Sequence, residues 1–246
     1  MLIKKGSTGS DVKRLQQKLG FSDKSADGDF GPMTEKAVIE WQKVNGLTPD
    51  GIITSANTSW NLLFGTDVSA NTPTAVVGLK LDKLKGAIPD KVILQIPDTA
   101  AKFGITTNLR LAHFLSQCAH ESGEFKWVVE FASGAAYEGR KDLGNTQPGD
   151  GIRFKGRGYI QLTGRANYTK FSTFCGEDCV ANPDLVATKY PMMSAAYFFN
   201  SNKLWAICDK GSGTDNVLAV TKRVNGGTNG LADRQKHFTK YWNLLK

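Results

Sequence analysis

His120-Glu121-Ser122-Gly123 is the first place where residue type and neighbourhood together suggest chemistry. Asn108 can cap a helix in which Leu111, Phe114, Leu115, Cys118 and Ala119 fall at i, i+3, i+4, i+7 and i+8, the strongest helical stripe in the chain. At about 100° per residue, Glu121 comes about 60° from Cys118 and about 20° from Phe114, on the margin of that stripe. Half-desolvation disfavours the charged form of a carboxyl and raises its pKa, which suits a general acid working near neutral pH. A lone helical glutamate is more often salt-bridged or solvated, so an acid at 121 needs a second carboxylate beside it.

Three glutamates follow closely enough to serve: Glu124, Glu130 and Glu138. On a continuing helix Glu124 would neighbour Glu121 on one face and leave little room for a sugar and a water between them. Glu130 would lie half a revolution around and about 13 Å along the same helix. Gly123 argues that the helix stops instead. If the chain turns back there, Glu130 can face Glu121 at the ~6.5 to 9.5 Å typical of inverting glycosidases, in which one carboxylic acid protonates the leaving oxygen and the other activates water. Spacing alone is weak support for that pairing.

Other chemistries find less support. His113 and His120 lie seven apart on the face opposite the stripe, His237 is remote, and no His-Glu-x-x-His pattern occurs, so surface or hydrogen-bonded histidines are expected and no metal or other cofactor. Cys175-Gly176-Glu177-Asp178-Cys179 is only loosely like a zinc half-site and has no second pair of matching spacing. It reads as a loop, with a local disulfide in an oxidising medium as the alternative. There is no Gly-x-Ser-x-Gly elbow, and Cys118 sits on the buried stripe. Asn225-Gly226-Gly227-Thr228-Asn229-Gly230 lacks the ending of a phosphate loop and reads as a tight turn between helices.

The elements that must position these residues follow from patterning. A chain of 246 residues allows one large domain or two smaller ones, and 40% hydrophobic with 10% aromatic residues suffices to bury a core. No apolar run approaches the ~18 residues of a membrane span and no hydrophobic segment follows the N-terminal lysines, which predicts a soluble protein made in the cytosol, with no export signal and no stable membrane insertion. Asp27-Gly28-Asp29-Phe30-Gly31 before Pro32, and Asp50-Gly51-Ile52-Ile53-Thr54 before Ser55, each read as a turn feeding a helix. Val12, Leu15 and Leu19, then Ala37, Val38, Trp41 and Val44, recur at helical spacing around them. The boundaries predicted are a helical module over 1–66, a small and polar linker over 67–78, and a larger domain over 79–246. In the latter, helices are expected over 215–224 and from Leu231 to Leu245, and a short strand over 156–164 that places Tyr159, Gln161 and Thr163 on one face.

Charge divides unevenly. Residues 1–66 carry eight Lys/Arg against seven Asp/Glu, 67–78 carry Asp67 alone, and 79–246 carry 23 against 15, so the basic excess lies in the last part. Arg153, Lys155, Arg157, Arg165 and Lys170 fall between Gly151 and Gly176 with no acid among them, a patch expected to attract anions.

At these residues the chain resembles known families. Gly9-Ser10-Asp11-Val12-Lys13-Arg14-Leu15-Gln16, Asp27-Gly28-Asp29-Phe30-Gly31, Thr34, Ala37-Val38, Gln42, Gly46-Leu47, Asp50-Gly51 and Trp60 resemble the three-helix peptidoglycan-binding module of cell-wall hydrolases. Ala119-His120-Glu121-Ser122-Gly123, Gly149-Asp150-Gly151, Gly156 through Tyr168 and Asn225-Gly226-Gly227 resemble the chitinase-like family 19 glycoside hydrolases, especially those serving as phage endolysins. The resemblance implies a mainly α protein, a small wall-binding domain plus a lysozyme-like helical catalytic domain with a short β element, hydrolysing a β-1,4 bond next to an N-acetylated sugar. By position it implies Glu121 as general acid, Glu130 as the second acidic residue of an inverting pair, and Thr163 as a hydroxyl that helps hold the attacking water. It matches Gln161, Asn167 and Asn225 with residues that bind sugar, and Tyr159 lies in the same motif as a further substrate contact. Glu124 stands where related sequences often have a second glycine, which leaves it open as an extra cleft carboxylate.

The leading expectation is therefore a two-domain peptidoglycan glycosidase, monomeric, held on the wall by its module and released from the host cytoplasm by a holin-type partner to lyse the cell. A chitinase acting on N-acetylglucosamine polymers is the alternative within the same chemistry. A zinc amidase lacks its histidine ligands here. A nucleic-acid binder would explain the basic stretch with Phe154, Tyr159 and Tyr168, but no nucleic-acid module accompanies it.

Overall fold

The structure, a computed structural model, describes residues 2–54, 63 and 78–246. The chain divides into two compact units, Met1–Thr72 and Pro73–Lys246. The helix start expected near Ser55 and the linker expected over 67–78 lie outside the described residues, apart from Gly78.

In the first unit, strand β1 (Leu2–Ile3) pairs antiparallel with β2 (Ile53–Thr54), and helices α1 (Ser10–Lys18) and α2 (Pro32–Val44) lie between them in sequence. Pro32 opens α2, where its missing N–H costs nothing. Ile3, Val12, Leu15, Phe30, Val38, Ile53 and Leu63 form the core. Val44, expected on the inner stripe, is 85% exposed. One turn on from Val38 the inward position belongs to Gln42 instead.

That glutamine and Gln16 on α1 perform the same task twice. Gln16 Oε1 accepts from Gly28 N at 2.8 Å while its Nε2 donates to Asp27 Oδ1 at 2.7 Å and Asp29 O at 3.0 Å. Gln42 Oε1 accepts from Gly51 N at 2.9 Å while its Nε2 donates to Asp50 Oδ1 at 2.8 Å and Ile52 O at 3.1 Å. Each buried amide thus satisfies the backbone of one Asp-Gly turn, and both turns close on their helices by the same device. Gln16→Leu is expected to lower the stability of this unit by about 1 to 3 kcal/mol, because the buried Gly28 N–H is left without its partner. Calorimetry of the full chain and amide exchange at Gly28 measure it; an unchanged exchange rate would show that the cradle is dispensable.

The second unit is built on helices α3 (Asp90–Ile93), α4 (Ile96–Phe103), α5 (Asn108–Glu121), α6 (Asp150–Arg153), α7 (Arg165–Cys175), α8 (Leu185–Thr188), α9 (Pro191–Ser201), α10 (Trp205–Cys208), α11 (Thr214–Asn225) and α12 (Leu231–Leu245). The mainly α expectation holds, and α11 and α12 match the predicted helices to within a residue or two. At its N-terminus α5 is capped by Thr107, whose side chain accepts from Arg110 N, and not by Asn108, which instead binds Lys80 N and Gly78 O.

The stripe on α5 is buried as predicted, but so is the opposite face over residues 111–119: His113, Ser116 and Gln117 are fully enclosed too. The reason is that α5 is the central helix, packed chiefly against α12 and also against α9, α10 and α11. His113, expected on an outer face, donates through Nε2 to Gly211 O at 2.9 Å and packs its ring 4.3 Å from that of Phe238.

No strand forms over 156–164. Arg157 and Leu162 exchange both backbone hydrogen bonds, at 3.1 and 2.7 Å, and residues 158–161 turn back between them. Gly158 at φ 80° and Gln161 at φ 55° make the reversal, so the alternation expected for Tyr159, Gln161 and Thr163 does not occur.

Candidate active site

The end of α5 is fixed by a tight reversal. Ser122 Oγ donates to Cys118 O at 2.6 Å and accepts from Phe125 N at 2.9 Å, while Glu124 N returns to Ala119 O at 2.7 Å. Gly123, Glu124 and Phe125 follow one another in left-handed conformation, at φ 56°, 60° and 67°. Phe125 is buried edge-on against Tyr159, with ring centroids 5.2 Å apart. The chain then runs back to bridge Val129 with Arg157, and Glu130 N donates to Gly156 O at 2.9 Å. Gly123 ends the helix as its type suggested, and Glu121 and Glu130 stand on either side of the turn.

Glu121 is half-buried and paired with Arg234, whose side chain is 2% exposed. Arg234 also donates through Nη1 to Gln117 Oε1 at 2.6 Å and through Nε to Asn229 O at 3.3 Å. Asn225 Nδ2 donates to that same Asn229 carbonyl at 2.8 Å, and its Oδ1 accepts from Gly227 N, so Asn225 shapes the turn on which this network closes. Arg234 is not among the site residues expected from the sequence. A signal existed: Arg234, Phe238, Tyr241 and Leu245 fall at i, i+4, i+7 and i+11 on the buried face of α12, where a charge demands a partner.

His120, one residue earlier, binds Asp233 Oδ2 through Nδ1 at 2.7 Å, and His237 Nε2 lies 3.3 Å from the same oxygen. The His120 side chain holds the Asp233 carboxyl below the usual range. These contacts tie the last turn of α5 to the first turn of α12.

Glu130 is held by neutral donors. Tyr137 Oη donates to its Oε1 at 2.8 Å and Gly156 N to its Oε2 at 3.0 Å. Burial and the adjoining Glu130 push the Tyr137 phenol up, keeping it a donor. The backbone at Gly156 passes close to both side chains: a Cβ there would stand 2.7 Å from Gln161 Oε1 and 3.2 Å from Glu130 Oε2, so a larger residue would displace them. Tyr137 is in turn placed by the 134–138 loop lying flat on α6: a Cβ on Gly151 would meet Glu138 N at 2.5 Å.

The other two glutamates have different surroundings. Glu138 accepts from Gly149 N and Gly151 N, both at 2.7 Å, and so anchors the start of α6. Glu124 is exposed, 3.9 Å from Lys126, and its charge acts on His237 and Tyr241 of α12.

A cavity of about 430 Å³ opens between the 160–163 segment, α7 and α9, and Gln161, Thr163, Asn167, Lys170, Ser201 and Asn202 supply much of its polar lining. Thr163 Oγ1 donates to Gln161 O at 2.8 Å and Asn167 Nδ2 to Thr163 O at 2.8 Å. Gln161 Nε2 donates to Gly158 O at 2.9 Å, and its buried Oε1 has no hydrogen-bond partner among the described residues. The structure thus gathers three predicted residues, Gln161, Thr163 and Asn167, at one cavity, linked to Glu130 across Gly156. Glu121 and Asn225 belong to the separate Arg234 network.

Tyr159 is a correction. It is 1% exposed, packed on Phe125, and its hydroxyl accepts from Gln95 Nε2 at 3.4 Å, so it supports the turn from inside and is closed off from the surface. The tight loop turns it inward where a strand would have turned it out. The anion-attracting patch also needs correcting. Arg157 is buried against Asp184 and Tyr168 Oη, Arg165 pairs with the buried Asp150, Arg153 donates to Val180 O and Ala181 O, and Lys155 donates to Glu130 O. Four of the five cations thus spend donors on carbonyls or carboxylates of the protein itself, Arg157 from a buried position and the others from the surface or near it.

Among the described residues no three His, Cys, Asp or Glu side chains group as a metal site, and no helix is long and apolar enough to cross a membrane. Cys175 and Cys179 are free thiols with sulfurs 3.8 Å apart.

Residues 98–217, which include both glutamates and the cavity, match the family described as chitinase class I. This is a glycoside hydrolase domain. Residues 8–57 match a putative peptidoglycan binding domain, so the hydrolase shares its chain with a wall-binding module. A glycosyl hydrolase family 19 domain-containing protein of Haemophilus influenzae is 29% identical over 171 residues, covering 55% of this chain and 80% of that one. An endochitinase of Arabidopsis thaliana is 34% identical over 130 residues, covering 52% of this chain and 43% of the plant protein. The solved chitinase C of Streptomyces griseus is 22% identical, with a TM-score of 0.47 over 56% of this chain and 72% of that one.

Proposed function

We propose that this protein is an endolysin-type glycosidase that cuts the β-1,4 bonds of the peptidoglycan glycan strand by inversion. The observation that carries the reading is the pairing, on one chain, of a peptidoglycan-binding module with a glycoside hydrolase domain that presents two glutamates on either side of one turn. Glu121 is the general acid that protonates the leaving oxygen, oriented by Arg234. Glu130 is the base: its neutral donors, Tyr137 and Gly156 N, leave it able to take a proton from water. Thr163 spends its own proton on Gln161 O and so offers its oxygen as an acceptor to that water. Gln161 and Asn167 line the sugar site, and Asn225 supports the acid's side of it.

The module, residues 1–66 joined by a linker over 67–78 to the catalytic domain at 79–246, keeps the enzyme on its polymer and raises the local substrate concentration without adding catalytic contacts. In the biological setting we propose, a monomer accumulates in the host cytoplasm, a holin-type partner lets it reach the wall, and lysis follows at the end of phage infection. Mass spectrometry of purified peptidoglycan digests, with reducing ends marked by borohydride, tests the reaction: new muramic or glucosaminyl reducing ends are expected, and fragments bearing only freed peptide termini would overturn it. A chitinase is the second reading, favoured by the similarity to a plant endochitinase. Turnover of chitooligosaccharides with no release from peptidoglycan would select it.

A further inference from the structure

Of the five cations between Gly151 and Gly176, four already donate to carbonyls or carboxylates of the protein, and Lys170 is the fifth. It lies on the exposed side of α7 and, among the described residues, has no hydrogen-bonded or ion-paired partner. It also lines the cavity beside Thr163 and Asn167, and it is the one charged residue of that lining. Nothing acidic in the lining offsets it. Opposite it the wall is neutral: Ser201 and Asn202 are polar, Tyr197 and Phe198 aromatic. A site of this size accepts a small ligand. Its chemistry asks for one with an apolar face, several hydroxyl or amide groups, and one negative charge.

A polymer of N-acetylglucosamine is neutral and offers Lys170 nothing. Peptidoglycan differs from it by carrying carboxylates on every second sugar. We infer that Lys170 makes this cavity a subsite for a carboxylate borne on the glycan, either the lactyl ether of an N-acetylmuramic residue or the stem peptide joined to it. The inference rests on the proposed glycosidase activity and names what would direct it to wall glycan. An ammonium on a flexible stem suits this role better than a planar guanidinium, because it follows a charge whose position varies with the peptide.

The test uses the full chain on three substrates: intact peptidoglycan fragments, the same glycan after amidase treatment has removed the peptides and freed the lactyl carboxylates, and neutral chitooligosaccharides. The measured quantity is selectivity, kcat/KM on each anionic glycan divided by kcat/KM on the neutral one. Lys170→Gln is expected to lower it about three- to fivefold through KM, as befits a partly solvated ion pair, and Lys170→Glu to lower it further. Lys170→Arg, which keeps the charge, restores most of it. Loss on the amidase-treated glycan identifies the lactyl carboxylate, and loss confined to intact fragments identifies the stem peptide. An unchanged ratio in both Lys170→Gln and Lys170→Glu overturns the inference while leaving the glycosidase reading intact. Failure of the wild type to cut either anionic glycan overturns that reading instead, and equilibrium binding of a muramyl dipeptide to wild type and Lys170→Gln then decides the subsite by itself: equal affinities overturn it.

Discussion

Replacing Glu121 by Gln lowers glycan turnover by ~10² to 10⁴, because the amide keeps the shape of the side chain but has no proton to give to the leaving oxygen. The environment of Glu121 adds a second, separable effect. Arg234 is almost wholly buried and the Glu121 carboxylate, which takes up a proton from solvent before each turnover, is its charged partner at rest, so the variant leaves a buried guanidinium held by neutral acceptors alone. A loss of roughly 1 to 3 kcal/mol in stability accompanies the loss of rate. Replacing both members, Glu121→Gln with Arg234→Met, removes the uncompensated charge and recovers stability without recovering activity. Calorimetry and single-turnover assays on the two variants separate the effects. A folded Glu121→Gln protein that retains more than a tenth of wild-type turnover would remove Glu121 from the role of acid.

Glu130→Ala should cost a comparable factor, and the stereochemistry of the product reports on it directly. If Glu130 activates water on the face opposite the bond protonated by Glu121, displacement occurs once and the β-linked substrate yields an α-configured reducing end. Added azide restores some turnover to Glu130→Ala by forming an α-azide. Thr163→Val weakens turnover by one hydrogen bond to the water, on the order of 1 to 3 kcal/mol when that partner is left unpaired. Proton NMR of the first product, before mutarotation, reads the outcome. An initial β-anomer means two displacements or participation by the acetamido group, and Glu130 would then not be the base.

Much of the catalytic helix was legible because burial imposes a period. Leu111, Phe114, Leu115, Cys118 and Ala119 recur at that period, so the helix and its end at Gly123 could be read from residue types alone. Long-range polar partners leave no period. Arg234 lies 113 residues from Glu121, and Gln16 and Gln42 look like ordinary surface glutamines until their turns close on them. The 156–164 segment misled for a different reason: alternating residues between glycines fit a strand and a tight loop equally well, and only the bridge from Arg157 to Leu162 decides. Basic residues misled similarly, since a run of positive charge carries no sign of the carbonyls and carboxylates that absorb it.

The three left-handed residues after Glu121 have a thermal consequence. Glu124 and Phe125 occupy a backbone region that costs of order 1 to 3 kcal/mol each for residues with a side chain, and the burial of Phe125 against Tyr159 is what offsets it. A segment balanced in this way opens before its surroundings do. On warming, the acid and the base should lose their alignment while the helical core is still folded, so that heat inactivation begins below the temperature at which the domain melts, and reverses on cooling.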